Sequence, residues 1–583
     1  MNWQSAYSSR KDLHEFRSNG LGLFALALRF GLDDLETVAA ESIIDGNDDK
    51  KLDLVYIDRD NGFAVIAQCY EATVSGKKAA SANKASDLNT GIGWLFGRDL
   101  SALPERIRPT AEELRSALSE GSINGLYVWY VHNLPESTNV RDELATVDTT
   151  LSTLLRAAFP GLQIRTVVQE IGTGMLDELY RDTQSAILVN DRFKLKIQGG
   201  FEVTGATWKA YVTAISAKFL YDVYGKHKAR LFSANVRDYL GSRSSDANIN
   251  NGIKITAEES PADFWVFNNG LTLLVHSYKP TSSRRNQYLQ IKGLSVVNGA
   301  QTTGALGSLN KAPTKAAMVP VRFVKTTNLE TIRSIIQYNN SQNKITAADF
   351  RSRDRMQIRL RDEFKKIPDA DYQGGRRGGH ADIIRRNPHL LPSYTVGQAL
   401  AAINQDPVVA SNKKSEIWAE DGFYSKYFSD DVTALHIVFC YSLLRAVEQR
   451  KIRLVSRSKQ EGDALTETED RELKFFRNRG ATFLLVSAIA GSLETILGKK
   501  ISKVTKLSFR QKISPEAGEK NWEPILEVVA PFSDQLMEAF THGLKSEEKV
   551  RRSLQTFQAL VKSAATVTGP IFKAFGKHVI TGN

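Results

Sequence analysis

Residues 53–70 read DLVYIDRDNGFAVIAQCY, two short apolar runs joined by the turn signal Arg-Asp-Asn-Gly. No other stretch restricts the fold so tightly. Side chains of a hairpin alternate between faces, so a slip of one residue would turn each apolar set to the wrong side. With the turn centred on Asp60-Asn61, cross-strand partners carry numbers that sum to 121. Asp53 then stands opposite Gln68, their Cβ atoms about 5 Å apart, and the same face carries Val55 with Ile66 and Ile57 with Ala64. A carboxylate and an amide at the edge of an apolar floor have two explanations. They satisfy local turn and backbone groups, or their oxygens share a hard cation such as Mg²⁺. A cation held there polarises a phosphodiester, which is nuclease chemistry. Glu41, at the end of the preceding helical run, is a further candidate ligand.

A chain of 583 residues exceeds what one hydrophobic core can organise, and three or four domains are expected. The 77 basic against 65 acidic residues leave a formal charge of +12. That surplus favours nucleic acid or another polyanion as a partner. The two cysteines, Cys69 and Cys440, lie in apolar stretches, which argues against a disulfide framework or a structural zinc site. The opening MNWQSAYSSRKDLHEF has no signal-peptide core. The apolar run at 20–32 is too short to span a bilayer and is interrupted by Arg29. A cytoplasmic protein with no membrane partner is the expectation.

Helical spacing at about 20–42 and 84–96 flanks the hairpin, suggesting a small α/β unit. INGLYVWYV (123–131) and LQIRTVVQEI (162–171) read as strands. Helical spacing is expected over 202–240, then strands at FWVF, LTLLV, YLQIKGLSVV and VPVRFV between 260 and 345. After about residue 395 the chain reads as helices. TALHIVFCYSLLRAVEQR and FLLVSAIAGSLETIL are apolar all round, as buried bundle helices are, and 456–472 reads as a polar linker.

An acidic helix residue, then Asp-Gly and Asp53, a strand, a turn, and a strand carrying Gln-x-Tyr resembles the PD-(D/E)XK nuclease superfamily. The likeness is closest to its Mrr-like and phage-defence branches, where Gln often replaces the second acid. The resemblance implies a restriction-endonuclease-like α/β domain over residues 1–180, with Glu41, Asp53 and Gln68 holding Mg²⁺. The signature lysine is Tyr70 here, which puts activity in doubt, because that lysine orients the attacking water and neutralises developing charge. Three replacements are available: Lys51, the cross-strand partner of Tyr70 in this register; Lys77 or Lys78 in the following loop; and Lys84. Lys84 precedes Leu88, Ile92 and Leu95 on one helical stripe and is the choice made here. A snorkelling lysine at a helix start is the alternative.

Further along stand RLFSANVRDYLG, NINNGIKIT, FWVFNNGLTLLV, VVNGAQTTGAL, VPVRFVKT and IIQYNNSQNKITAADFRSRD. This ordered series resembles the AIPR family, named for abortive-infection phage resistance. The resemblance implies antiviral defence and a central mixed α/β AIPR domain, taken as 181–395, ahead of a helical C-terminal region at 396–583. Read on its residues alone, VVNGAQTTGAL is a buried strand, an Asn-Gly turn and a helix beginning near Gln301, whose free N–H groups favour an anion. Asn298, Gln301, Asn339, Asn340 and Gln342 are candidates for contacting bases or phosphates. Asn268-Asn269-Gly270 reads instead as a turn.

The stretch RSRDRMQIRLRDEFKK (351–366) carries seven Lys/Arg against three acids, and GGRRGGH follows. Arg351, Arg376 and Arg377 therefore extend the candidate nucleic-acid track, DNA rather than RNA being the expected partner. A solvated helix face explains such a run equally well. The composite expectation is a multidomain α/β plus α protein, a Mg²⁺-dependent nuclease in antiphage defence. Its alternatives are a degenerate nucleic-acid-binding or sensor subunit, and a structural partner that forms a homo-oligomer or joins another defence protein.

Overall fold

The hairpin folds in the register its apolar pattern demands. In the computed structural model β1 (Leu54–Asp58) pairs antiparallel with β2 (Phe63–Tyr70), setting Leu54 opposite Ala67 and Val55 opposite Ile66. Asp58 closes the tip: its carboxylate accepts the Asn61 backbone N–H at 2.9 Å and the Asn61 side-chain amide at 2.8 Å. Gly62 supplies the positive φ, +75°, that the turn requires. β3 (Gly125–His132) and β4 (Arg165–Ile171) add in parallel, giving the order β1-β2-β3-β4.

Each face of this sheet has its own core. Leu54, Val65, Ala67 and Trp129 pack under α1 (Ser18–Phe30), which is followed by α2 (Leu35–Ser42) at the β1 edge. The approach of α1 requires glycine, since a Cβ on Gly22 would lie 2.6 Å from Cys69 Sγ. Val55, Ile66, Leu126 and Val128 face α3 (Ala82–Gly97), α4 (Arg108–Ser119) and α5 (Thr138–Ala158). The expected stripe of Leu88, Ile92 and Leu95 is fully buried there.

The structure describes residues 2–582 except 33, 45, 47, 73–78, 185–186, 188, 228–230, 233–243, 284–285, 329–330, 333, 336–347, 349–350, 353, 373, 375–387, 459–464 and 542.

A second, seven-stranded sheet comprises β5 (Val189–Ile197), β6 (Phe201–Thr204), β7 (Trp208–Ser216), β8 (Leu271–Leu274), β9 (Ser277–Ser283), β10 (Asn286–Asn298) and β11 (Met318–Thr326). Its order is β5-β10-β8-β11-β7-β6, with β9 on β10. The helical reading of 202–240 is corrected: only α6 (Ala217–His227) has that form in the first half of the stretch. Residues 208–216 pair with β6 on one side and β11 on the other, and this double pairing of a Tyr-, Val-, Thr- and Ile-containing segment outweighs its spacing. FWVF is likewise no strand but a helical turn, Phe264–Phe267, that buries Phe264 alone of its four residues. α7 (Ala300–Gly307) packs with α6 on the sheet.

The helical unit has a single large core that begins with Ala348, Leu360 and Phe364, ahead of residue 396, and runs to Val579. It includes α8 (Arg355–Phe364), α9 (Ser393–Ile403), α10 (Ala434–Arg457), α11 (Glu467–Phe476), α12 (Ala481–Gly491), α13 (Pro515–Val529) and α14 (Glu547–Gly576). The expected linker at 456–472 is shortened from both ends. α10 continues to Arg457, and Thr466 and Glu469 form a capping box that starts α11. Both cysteines are buried and free. Among the described residues no helix is long and apolar enough to cross a membrane.

The first sheet docks on the helical unit through buried charge. Asp34, the N-cap of α2, pairs with Arg445 of α10 at 2.7 Å, and Arg445 also holds Glu448 at 2.6 Å. Thr37 donates to Glu448 at 2.8 Å, and Thr395 donates to Asp34. Burial pushes the Glu448 carboxyl up to about 7 despite the adjacent Arg445. Asp34, although equally buried, is held down at about 2 by Arg445 and its hydrogen bonds. One guanidinium thus serves two carboxylates, and the proton preference falls on Glu448.

Candidate active site

The regular pairing of β1 with β2 ends at Leu54 opposite Ala67, and the next bond slips by one residue. The Asp53 N–H donates to the Ala67 carbonyl at 3.2 Å, and the Cys69 N–H donates to Asp53 Oδ2 at 2.6 Å. Asp53 and Gln68 therefore lie at the same end of the hairpin, with one Asp53 oxygen bound to the Cys69 backbone. Gln68 is 5% exposed, and its Oε1 is buried with no hydrogen-bond partner among the described residues. An orphaned buried carbonyl costs about 1–3 kcal/mol.

The parallel strands extend this polar end sideways. Tyr130 of β3 is in register with Gln68, and Glu170 of β4 is in register with Tyr130. The Tyr130 hydroxyl is buried without a partner among the described residues. Burial first, then the ionisable neighbours Tyr70, Glu170, Asp87 and Asp53, push its phenol well above the ordinary range, so it stays a protonated donor. His132, opposite Tyr70, is fully buried. Its Nδ1 accepts the Leu134 N–H at 3.3 Å, so Nε2–H donates to Glu170 Oε1 at 3.0 Å. Glu170 also takes the Ser137 N–H at the start of α5 at 3.3 Å.

α3 brings the cations. Lys84 Nζ lies 5.1 Å from the centroid of the Tyr70 ring, so the ammonium stands over the position where the PD-(D/E)XK pattern has lysine. Lys51 is not the cross-strand partner of Tyr70, because the ladder ends at Leu54 and Lys50 and Lys51 have φ of +56° and +69°. The turned backbone sends Lys51 to α3, where its Nζ is 3.6 Å from Asp87.

The other candidate residues fall elsewhere. Glu41 lines a pocket at the β1 edge with Tyr56, Arg477 and Arg479, and its charge acts on Tyr56 and Lys451. Among the described residues no three His, Cys, Asp or Glu side chains gather as metal ligands. β10 ends at Asn298, Gly299 takes φ +95°, and α7 starts at Ala300, as the Asn-Gly reading expects. Asn298 stands in register with Thr272, which accepts from Arg322 of β11 at 2.7 Å, a polar row across three strands. Gln301 is half-buried in the first turn of α7. Asn268 turns back on its own chain, donating to the Phe264 carbonyl at 3.3 Å. Arg351 pairs with Asp421, donates to the Trp418 carbonyl at 3.3 Å and stacks 4.4 Å from the Tyr424 ring. Lys77, Lys78, Asn339, Asn340, Gln342, Arg376 and Arg377 lie outside the described residues.

Sequence reasoning passed over Tyr130, His132, Asp87 and Glu170. The alternation in LYVWYVH carried the signal for Tyr130 and His132, but the parallel register that sets them beside Gln68 and Tyr70 depends on a crossover of more than fifty residues.

Fold and site together define a multidomain α/β plus α protein with a polar, partly unsatisfied cluster at the strand ends of its first sheet. The AIPR family model (AIPR protein) matches residues 232–523, half of the chain and across both the second sheet and the helical unit, and the chain belongs to the AIPR family. No curated protein matches it. No solved structure matches it either.

Proposed function

We propose that the protein acts in antiphage defence of the abortive-infection type, as its family suggests, and that the first sheet carries a metal-dependent nuclease site. The observation that carries the nuclease reading is the ammonium of Lys84 over Tyr70, at the end of the hairpin where Asp53 binds the Cys69 backbone beside Gln68. The orphaned Gln68 Oε1 and the Asp53 carboxylate suit a hard cation, with water and phosphate oxygens completing its shell. Mg²⁺ held by Asp53 and Gln68 would supply Lewis-acid polarisation of a phosphodiester. Lys84 neutralises charge that develops on the phosphoryl group and orients the attacking water. Tyr130, kept protonated, offers a donor one strand away.

The competing reading is a nucleic-acid-binding subunit that has lost catalysis. It is favoured by the Cys69 N–H bond that occupies one Asp53 oxygen and by Glu41 facing the β1 edge. Incubating the purified protein with DNA and RNA, with and without Mg²⁺ or Mn²⁺, separates the two. Cleavage that needs metal and is lost in Asp53→Asn is the expected outcome. Metal-independent, salt-sensitive binding with no cleavage under any metal would leave the binding reading.

A further inference from the structure

The edge of β1 and the α11–α12 turn enclose a second pocket, lined by Glu41, Ser42, Tyr56, Thr110, Arg477 and Arg479 among others. Counting its open mouth it encloses about 380 Å³. The turn that brings the two arginines is rigidly built. The Asn478 amide donates to the Phe475 carbonyl at 3.0 Å, and Gly480 takes φ +77° where a Cβ would lie 2.6 Å from Ser411 Oγ.

The charges around the pocket do not balance. Glu113 is shared by Arg59 at 2.8 Å and Arg479 at 3.0 Å, and Glu41 is set against Lys451. The acids nearest to Arg477, Glu105 and Asp470, are both taken by Lys474, at 3.3 and 3.4 Å. Arg106 adds a like charge. Among the described residues Arg477 has no side-chain hydrogen bond or ion pair, and the Nε atoms of Arg477 and Arg479 are both buried and unpartnered. Two forked guanidinium groups line one small pocket, Arg477 with no carboxylate partner among the described residues and Arg479 bonded to Glu113 through Nη1, and such groups suit an oxyanion.

We propose that this pocket binds a phosphate-class dianion, held by Arg477 and Arg479 between the first sheet and the helical unit. The site is separate from the Asp53–Gln68 cluster and does not depend on the nuclease reading. Because its walls come from both units, occupancy stabilises their contact. Free phosphate, a mononucleotide and the 5′-phosphate end of a strand share the required chemistry.

The test is thermal melting of the full chain titrated with inorganic phosphate, with a nucleoside 5′-monophosphate, and with chloride at matched ionic strength. Phosphate should raise the melting temperature saturably while chloride does not. Arg477→Gln should weaken the apparent affinity about tenfold or more, and Glu41→Gln should tighten it by removing a like charge. A stronger response to the monophosphate than to phosphate identifies a nucleotide or strand end as the source. Equal shifts with chloride, an unaltered phosphate response in Arg477→Gln, or no tightening in Glu41→Gln would each overturn the proposal.

Discussion

Replacing Arg445 by Met removes the cation that two buried carboxylates share and keeps its volume. Arg445 is 4% exposed and contacts Asp34 at 2.7 Å and Glu448 at 2.6 Å, with Glu36 at 3.7 Å. Glu448 relieves part of the repulsion by taking a proton. Protonated, it can donate to Thr37 Oγ, which in turn donates to Asp34 across the 3.2 Å that separates them. Asp34 retains its charge and loses the partner that stabilises it. Breaking one side of a buried pair costs about 3–5 kcal/mol. In a unit of this size each kcal/mol moves the midpoint by about 2–4 °C, so a fall of about 6–20 °C is expected. Scanning calorimetry with limited proteolysis of the 30–45 segment is the suitable assay, since a chain with several cores need not unfold in one step. The triple variant Asp34→Asn, Arg445→Met, Glu448→Gln should recover most of the loss, because no unpaired charge is left behind. An Arg445→Met protein that melts within a degree of the wild type would refute the argument, showing that water reaches the network and that the charges are not truly buried.

Lys84→Ala should remove metal-dependent cleavage while metal and substrate binding persist, and Tyr70→Lys in that background should restore part of it; single-turnover assays with parallel binding curves check both. The Glu448 carboxyl, raised to about 7 in the folded chain from 4.5, binds its proton more tightly folded than unfolded. Stability should therefore fall by about 3 kcal/mol as pH rises from 4.5 to 7. Melting scans over that window should show the fall in the wild type and a reduced one in Glu448→Gln, with Glu519, also raised to about 7, supplying the remainder. Arg376→Ala with Arg377→Ala should weaken nucleic-acid binding and flatten its salt dependence, measured as the slope of log affinity against log salt.

What could be read from the chain was what local period and turn chemistry determine. The hairpin register from Leu54 to Asp58 followed from two alternating runs and one turn, and it broke off just before Asp53, whose N–H bonds to Ala67. The stripe of Leu88, Ile92 and Leu95 oriented α3, and with it Lys84. Gly299 marked a strand-to-helix corner that only a positive φ can make. What could not be read depended on partners distant in sequence. Tyr130 and Glu170 reach the cluster through parallel pairings. Residues 208–216 became a strand because β6 and β11 flank them. Lys51 was lost to a local detail, two left-handed residues where continued strand was assumed. Glu41 faces Tyr56 and Lys451 because α2 docks on α10 as well as on the sheet.

That docking gives the first sheet two unlike ends. The hairpin tip and the β1 edge are fastened to the helical unit through Asp60 with Ser415 at 2.8 Å, Glu113 with Arg479 at 3.0 Å and Glu120 with Lys545 at 2.5 Å. Asp53 and Gln68 stand at the opposite end of the same two strands, about 17 Å away at 3.4 Å per residue, where α3 and the parallel strand ends surround them. The edge pocket reaches Asp53 along β1 and through Ile44, whose N–H donates to the Asp53 carbonyl at 3.0 Å, whereas Lys84 on α3 is held by β2, α4 and α5. Coupling between the helical unit and the polar cluster can therefore act by shifting Asp53 relative to Lys84. Filling the edge pocket should then alter the metal affinity of Asp53 and Gln68 while the Lys84–Tyr70 contact stays in place. A pocket ligand that changes melting without changing metal affinity would mean that the two ends of the sheet are mechanically independent.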